Sequence, residues 1–187
     1  MKKLTIVLVN LLLLGLFLLL GFMVKDSAKG ILFDIGILEF LHRDQNPLVF
    51  AFMKFISFIG SELFLFPAIG LLLLVKLINK SYYSFKLLIF NSLGSYLLNL
   101  GLKLSFNRTR PLEFILVKQG GLSYPSGHSM VSLSFYLTLA YLINKNCYQR
   151  YRGKLPYSIA LLISFIMGLS RLYLGVHWPT DIIGGYI

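Results

Sequence analysis

The sequence predicts an all-α integral membrane protein, a single-domain bundle of apolar helices, and three observations carry that prediction. Hydrophobic residues make up 57% of the 187 and charged residues only 13%, a balance outside the usual range of soluble domains. The apolar residues fall in long runs separated by short polar connections. The charge is uneven, 18 Lys+Arg against 7 Asp+Glu for a formal +11, and the basic residues collect in those connections. Such a charge fits anionic lipid or an anionic substrate better than nucleic acid, because no exposed basic face is left once the runs are read as membrane spans.

In chain order, Met1-Lys2-Lys3 followed by Leu4 to Val24 has the layout of a secretory signal. Its roughly 20 apolar residues exceed the ~7–15 of a cleavable core, so residues 1–24 read as a retained first span. Residues 25–60 mix Ile31, Phe33, Ile35, Leu38 and Leu41 with Asp34, Glu39 and Arg43, which suits an amphipathic segment lying at the interface. Residues 61–187 read as the catalytic helical core. Its spans are Leu63 to Leu77, Leu87 to Leu102, Met130 to Ile143 and Ser158 to Leu169. Several fall short of the roughly 20 residues a crossing needs, so flanking residues are expected to extend the helices. A sixth span begins near Asp181 and reads as truncated at Ile187.

Lys2, Lys3, Lys80, Lys86, Lys145, Arg150, Arg152 and Lys154 occupy connections that carry no candidate chemistry. Five spans place them all on one side, which the positive-inside rule makes cytoplasmic along with the N-terminus. Residues 103–128 and 170–181 then share the external face. Asn91, Ser95, Asn99 and Lys103 recur every four residues and line one face of the third span, expected to point into the bundle. Ser164 and Gly168 form a small-xxx-small pair suited to helix packing. Cys147 is the sole cysteine, so no intrachain disulfide is available and redox compartment is unreadable. Oligomeric state leaves no trace in the sequence.

Three patches on the external face carry chemistry. Lys103 and Arg110 are separated by six residues and followed by Pro111. Arginine can fork a phosphoryl group and lysine can hold it as a point charge, although a basic loop beside a membrane also suits a headgroup contact. In Tyr124-Pro125-Ser126-Gly127-His128-Ser129, Ser126 can cap the helix that follows, whose free N–H groups make an anion site. His128 falls in its first turn, where a structural histidine is the plainer reading. Finally, Arg171 offers another phosphate donor, and His177 and Asp181 are four residues apart. A carboxylate on one imidazole nitrogen fixes the tautomer and frees the other to attack; the same spacing also serves ordinary ion pairs. His42, beside Arg43 and Asp44, belongs to no patch and reads as an interfacial residue.

Together the patches resemble the type 2 phosphatidic acid phosphatase superfamily. This family includes lipid phosphate phosphatases and, more distantly, vanadium haloperoxidases, and the chain resembles its membrane branch with bacterial phosphatidylglycerophosphatase B and undecaprenyl diphosphate phosphatases. The family pattern K-x6-R-P, P-S-G-H and S-R-x5-H-x3-D is met in order at Lys103 to Pro111, Pro125 to His128 and Ser170 to Asp181. The first 80 residues agree only in hydrophobic layout.

The resemblance implies that His177 attacks phosphorus, Asp181 orients it and His128 protonates the departing oxygen. Lys103, Arg110, Arg171, Ser126 and the Gly127 N–H would hold the non-bridging oxygens. Arg108 is outside the fixed positions, and a lipid headgroup or solvent is its expected neighbour. No metal or other cofactor is expected, since three cations stand where magnesium would sit. The expected activity is hydrolysis of a lipid phosphomonoester or diphosphate at the external face of the plasma (cytoplasmic) membrane. Phosphatidylglycerophosphate, phosphatidic acid and undecaprenyl diphosphate are the candidate substrates. The rival reading is a non-catalytic membrane protein that binds or transports anionic lipids.

Overall fold

The computed structural model describes residues 2–146 and 153–187, so Cys147, Arg150 and Arg152 lie outside the described residues. Each apolar run forms a helix. Helix α1 spans Lys2–Val24, α2 Leu32–His42, α3 Pro47–Ile59, α4 Glu62–Ile78, α5 Tyr82–Phe106, α6 Gly127–Asn146, α7 Leu155–Tyr173 and α8 Pro179–Tyr186, with a 3-10 turn at Leu112–Phe114.

The helix limits have local causes. The Asn46 side chain accepts from the N–H groups of Leu48 and Val49 at 2.8 and 3.3 Å, and Pro47 takes the first position of α3, where a missing N–H costs nothing. Helix α5 runs on to Phe106 and stops at Asn107, whose left-handed φ of 49° lets its N–H return to the Lys103 carbonyl, a C-terminal turn that asparagine tolerates. Ser126 caps α6, accepting from the N–H of Ser129 at 3.4 Å. The expected lengthening of the short spans is therefore present: α5 carries Lys103, α6 begins at Gly127, and α7 carries Ser170 and Arg171.

Helix α6 is the hub of the bundle and packs against α5, α7 and α8, while α3 lies on α7. Close approach is made possible at Gly60, where a side chain would collide with Met167. The expected packing role of Ser164 and Gly168 is seen on α7, where Tyr186 of α8 fills the space over Gly168 and donates from its hydroxyl to the Ser164 carbonyl. Helix α1 exposes most of its large apolar side chains, as a helix does when its solvent is lipid. It joins the bundle through Phe17 and Val24, which cluster with Phe106 and Tyr124.

By length and composition α1, α5 and α7 each suffice to cross a membrane, and α3 with α4 makes a fourth candidate bent by 42°. The six crossings expected from the sequence are thus not all accounted for among the described residues. Helix α6 is long enough but carries Ser129, Ser132, Ser134 and Thr138, which lower its hydropathy. Two of these hydroxyls spend themselves inside the helix, Ser132 on the His128 carbonyl and Thr138 on the Ser134 carbonyl. The polar face of α5 points largely inward as expected: Asn91 donates to Thr138 at 2.9 Å and Asn99 to the Pro125 carbonyl at 3.2 Å. Ser95 instead bonds within its own helix. Residues 25–60 form two helices, and the second continues the bundle by packing on α7 and bending into α4.

Candidate active site

The carboxyl ends of α5 and α7 and the amino ends of α6 and α8 meet at one end of the bundle. The turn after α7 sets the place of His177. Gly175, at a φ of +66°, lies so close to the Phe114 carbonyl that no side chain would fit, and the Leu116 N–H donates to the Leu174 carbonyl at 3.1 Å. His177 follows, buried at 1% exposure. Pro179 then opens α8, which puts Asp181 in the first turn of that helix.

His177 has a neighbour at each ring nitrogen. Nδ1 lies 3.2 Å from Asp181 Oδ2 and Nε2 lies 3.1 Å from Arg110 Nη1. A guanidinium can only donate, so Nε2 is the acceptor and Nδ1 carries the proton that goes to Asp181. Burial, followed by the charges of Arg110, Lys103, Arg171 and Arg108, pushes the His177 pKa well below its ordinary value. The ring is accordingly neutral at pH 7, with its lone pair at Nε2. Burial also lowers the Arg110 pKa, to about 10, against the opposing pull of Asp181; the guanidinium stays charged.

Asp181 is held on every side. Besides His177, its Oδ2 accepts from the Trp178 N–H at 2.9 Å and from the Ser123 hydroxyl. Its Oδ1 accepts from Arg108 Nη1 at 2.7 Å. Arg110 is anchored as firmly, donating from Nε to the Gly120 and Gly121 carbonyls at 3.1 and 3.0 Å, from Nη1 to Val176 O at 2.5 Å and from Nη2 to Leu122 O at 3.1 Å.

Three further motif residues, Lys103, Gly127 and His128, line a cavity of about 110 Å³ together with Asn99 and Gln119, and Glu62 borders it from the α3–α4 bend. Lys103 Nζ donates to the carbonyls of Leu122 and Ser123 at 2.7 and 3.2 Å. Arg171 donates to the Ser57 hydroxyl and, at 2.8 Å, to Gln119 Oε1, while its buried Nε has no partner among the described residues. Ser126 stands apart from this lining. It is fully buried, its hydroxyl faces the start of α6, and its N–H donates to the Asp181 carbonyl at 3.0 Å.

Arg108 departs from expectation. It meets neither headgroup nor solvent but is fully buried in ion pairs with Asp34 at 2.6 Å and Asp181 at 2.7 Å, with its guanidinium over the Trp178 ring at 5.4 Å. The cause is the left-handed turn at Asn107, which redirects the chain from the end of α5 into the bundle. His42 is likewise tied down, with Nδ1 2.7 Å from the Leu38 carbonyl and its ring against Phe114. Asp34, Ser57, Gln119 and Ser123 also reach the site residues without having been singled out in the sequence. Asp34 carried a signal of its own, an acid within the apolar run Leu32–Leu41, where an ionised side chain needs a partner.

Residues 85–187 match the model of the PAP2 superfamily. The chain is 33% identical to phosphatidylglycerophosphatase B of Bacillus subtilis over 76% of its own length and 70% of that protein's. It is 27% identical to the undecaprenyl-diphosphatase of Sulfolobus acidocaldarius, over 94% of this chain and 83% of the other. Its fold superposes on the crystal structure of the transmembrane PAP2-type phosphatidylglycerolphosphate phosphatase from Bacillus subtilis with a TM-score of 0.83 at 30% identity, over 94% of this chain and 88% of that one.

Proposed function

Because the chain belongs to the PAP2 superfamily, we propose that it is a metal-independent membrane lipid phosphate phosphatase that works through a phosphohistidine on His177. The observation that carries the proposal is the His177 ring, neutral and held by Asp181 at Nδ1 with its lone pair at Nε2. In the first step the Nε2 lone pair forms a bond to phosphorus as the bond from phosphorus to the lipid oxygen breaks. The electron pair leaves with that oxygen, which takes a proton from His128, entering the step as an imidazolium whose charge is offset by the substrate's phosphate and ending it as the neutral ring. In the second step a water gives its proton back to His128 and its oxygen to phosphorus, and the N–P bond breaks to release phosphate. Lys103, Arg110 and Arg171, with the α6 N-terminus at Gly127, hold the non-bridging oxygens, so that catalysis is chiefly electrostatic. Arg110 donates to Nε2; an incoming phosphoryl group takes over that donor and uncovers the lone pair. Ser126 contributes through the cap that fixes the helix start.

A lipid substrate is favoured by a second cavity, about 480 Å³, lined by apolar and aromatic side chains of α3, α4, α6 and α7. It meets the polar cavity at the α3–α4 bend, where Ile59 and Phe64 border one and Gly60, Glu62 and Leu65 the other. Phosphatidylglycerophosphate, phosphatidic acid and undecaprenyl diphosphate all join hydrocarbon to a phosphoryl group and are the substrates to compare. The domain is taken as one membrane-embedded unit, residues 1–187, with α6 as a further crossing and α8 as the start of a sixth. Lys80 and Lys86 at the start of α5, Lys145 at the end of α6 and Lys154 at the start of α7 stand at the ends remote from the motif residues. Positive-inside orientation then favours a cytoplasmic N-terminus and an active site facing outward across the plasma membrane.

The test is phosphate release from those three lipids by the full chain in detergent, with and without a chelator. Hydrolysis of at least one, unchanged by chelation and lost in His177→Ala and in His128→Ala, is the expected outcome. Strict magnesium dependence would sink the metal-free scheme. Lipid binding without any cleavage would make the protein a lipid binder instead.

A further inference from the structure

Behind the pair that holds the nucleophile lies a second carboxylate. Arg108 spans the two, Nη1 donating to Asp181 Oδ1 at 2.7 Å and Nη2 to Asp34 Oδ2 at 2.6 Å, with all three side chains wholly buried. Thr180 closes the arrangement. Its N–H donates to Asp34 Oδ1 at 3.0 Å, and its hydroxyl lies 2.9 Å from both Asp34 oxygens while accepting from Arg108 at 2.7 Å. Ser27, just after α1, accepts from Nη2 at 3.1 Å. None of these groups reaches the cavity that receives the phosphoryl group.

The charges matter as much as the contacts. Two carboxylates and one guanidinium leave this trio with a net charge of −1 beside His177. Were Arg108 paired with Asp181 alone, the pair would be neutral. When the Nε2 lone pair enters the bond to phosphorus, the ring becomes cationic and needs a negative neighbour at Nδ1. Asp34 also anchors the N–H and hydroxyl of Thr180, the residue before Asp181 in the first turn of α8. From these contacts we propose that Asp34, acting through Arg108 and Thr180, is a positioning residue for phosphoryl transfer that offsets the Arg108 charge and keeps Asp181 in register with His177. This role rests on the reading of His177 as the nucleophile.

The experiment uses the full chain in detergent, with the lipid phosphate that the parent hydrolyses. Asp34→Asn should lower kcat about ten- to a hundredfold, the range typical of groups that orient a reacting ligand, and leave KM and the inhibition constant of inorganic phosphate within about twofold. The acid limb of the pH profile should also move to lower pH. His177 faces Lys103 of α5, Arg108 and Arg110 of the following loop, His128 of α6, Arg171 of α7 and Asp181 of α8. Removing a negative charge from behind this set makes its proton harder to keep. In an Asp181→Asn background, Asp34→Asn should cost no more than about twofold further, because a group that acts through another loses its effect with it.

Unchanged kcat in Asp34→Asn, losses that multiply in the double variant, or a change in KM alone would each overturn the role. If Asp34→Asn does not fold, Thr180→Val makes the same comparison with every charge retained. It should lower kcat with KM unchanged, and a kcat equal to the parent's would overturn the role. A parent that cleaves no lipid phosphate contradicts the phosphatase reading itself, whereas an active parent with a kcat-neutral Asp34→Asn contradicts only the part assigned to Asp34.

Discussion

Around His177 both ring nitrogens have partners, and each partner is itself held: Asp181 by Ser123, Trp178 and Arg108, Arg110 by four carbonyls. Around His128 the ring makes no hydrogen bond to any described residue and borders the polar cavity in company with Lys103 and Gln119. On the proposed mechanism, one half of the site is set before substrate arrives, and the other takes its geometry from what binds. The difference follows from chemistry. A nucleophile must have its tautomer and direction fixed in advance, since misplacement costs rate directly. A proton donor to a leaving oxygen can be aligned by the substrate that brings that oxygen.

That contrast can be broken most sharply at His128. His128→Ala should lower kcat on an alkyl lipid phosphate by about 10² to 10⁴, the range of general acid catalysis, and far less on p-nitrophenyl phosphate, whose leaving group needs no proton. Equal losses on the two substrates would place His128 among the fixed groups. The next effect concerns the held half. With its pKa depressed by burial and by Arg110 first among the cations, His177 stays neutral down to acid pH. The acid limb of kcat/KM should therefore lie below the ordinary histidine value of about 6.5. In Arg110→Gln a cation is lost, the protonated ring is less opposed, and the limb should move to higher pH along with a fall in kcat/KM. An unmoved limb would mean that burial, not the Arg110 charge, governs the titration. The smallest effect belongs to Gln119, which gives Arg171 its one side-chain amide contact. Gln119→Ala should lower kcat/KM by about fivefold, the worth of about one hydrogen bond, and do so through KM. A loss in kcat alone would indicate that Arg171 is fixed by other means.

The parts legible in the sequence are those with a local cause. Apolar runs mark α1, α4, α5, α6 and α7, and the four-residue recurrence of Asn91, Ser95, Asn99 and Lys103 shows which face of α5 turns inward. Lys103, Arg110, His128, Arg171, His177 and Asp181 stand out as candidates from type and spacing because each patch is continuous in the chain. Asp34 and Arg108 are separated by 74 residues, so no spacing rule joins them. Only the cost of burying each charge alone hints at a partner, since leaving one member of such a pair unpaired costs about 3–5 kcal/mol. The Asn46-Pro47 pair, a cap followed by a first-turn proline, marks the break that divides residues 25–60 into α2 and α3. The amphipathic pattern across that stretch masks it. The crossing of α6 is obscured for the opposite reason: its hydroxyls read as polar while two of them are satisfied within the helix.

The most direct test of the held nucleophile is to trap the covalent state. The full chain is mixed in detergent with a lipid phosphate labelled in the transferred phosphoryl group, quenched in alkali during turnover and mapped. The account predicts label on His177, stable to alkali and released by mild acid, and absent from His177→Ala. Turnover with no labelled protein, or label that persists in His177→Ala, would contradict it.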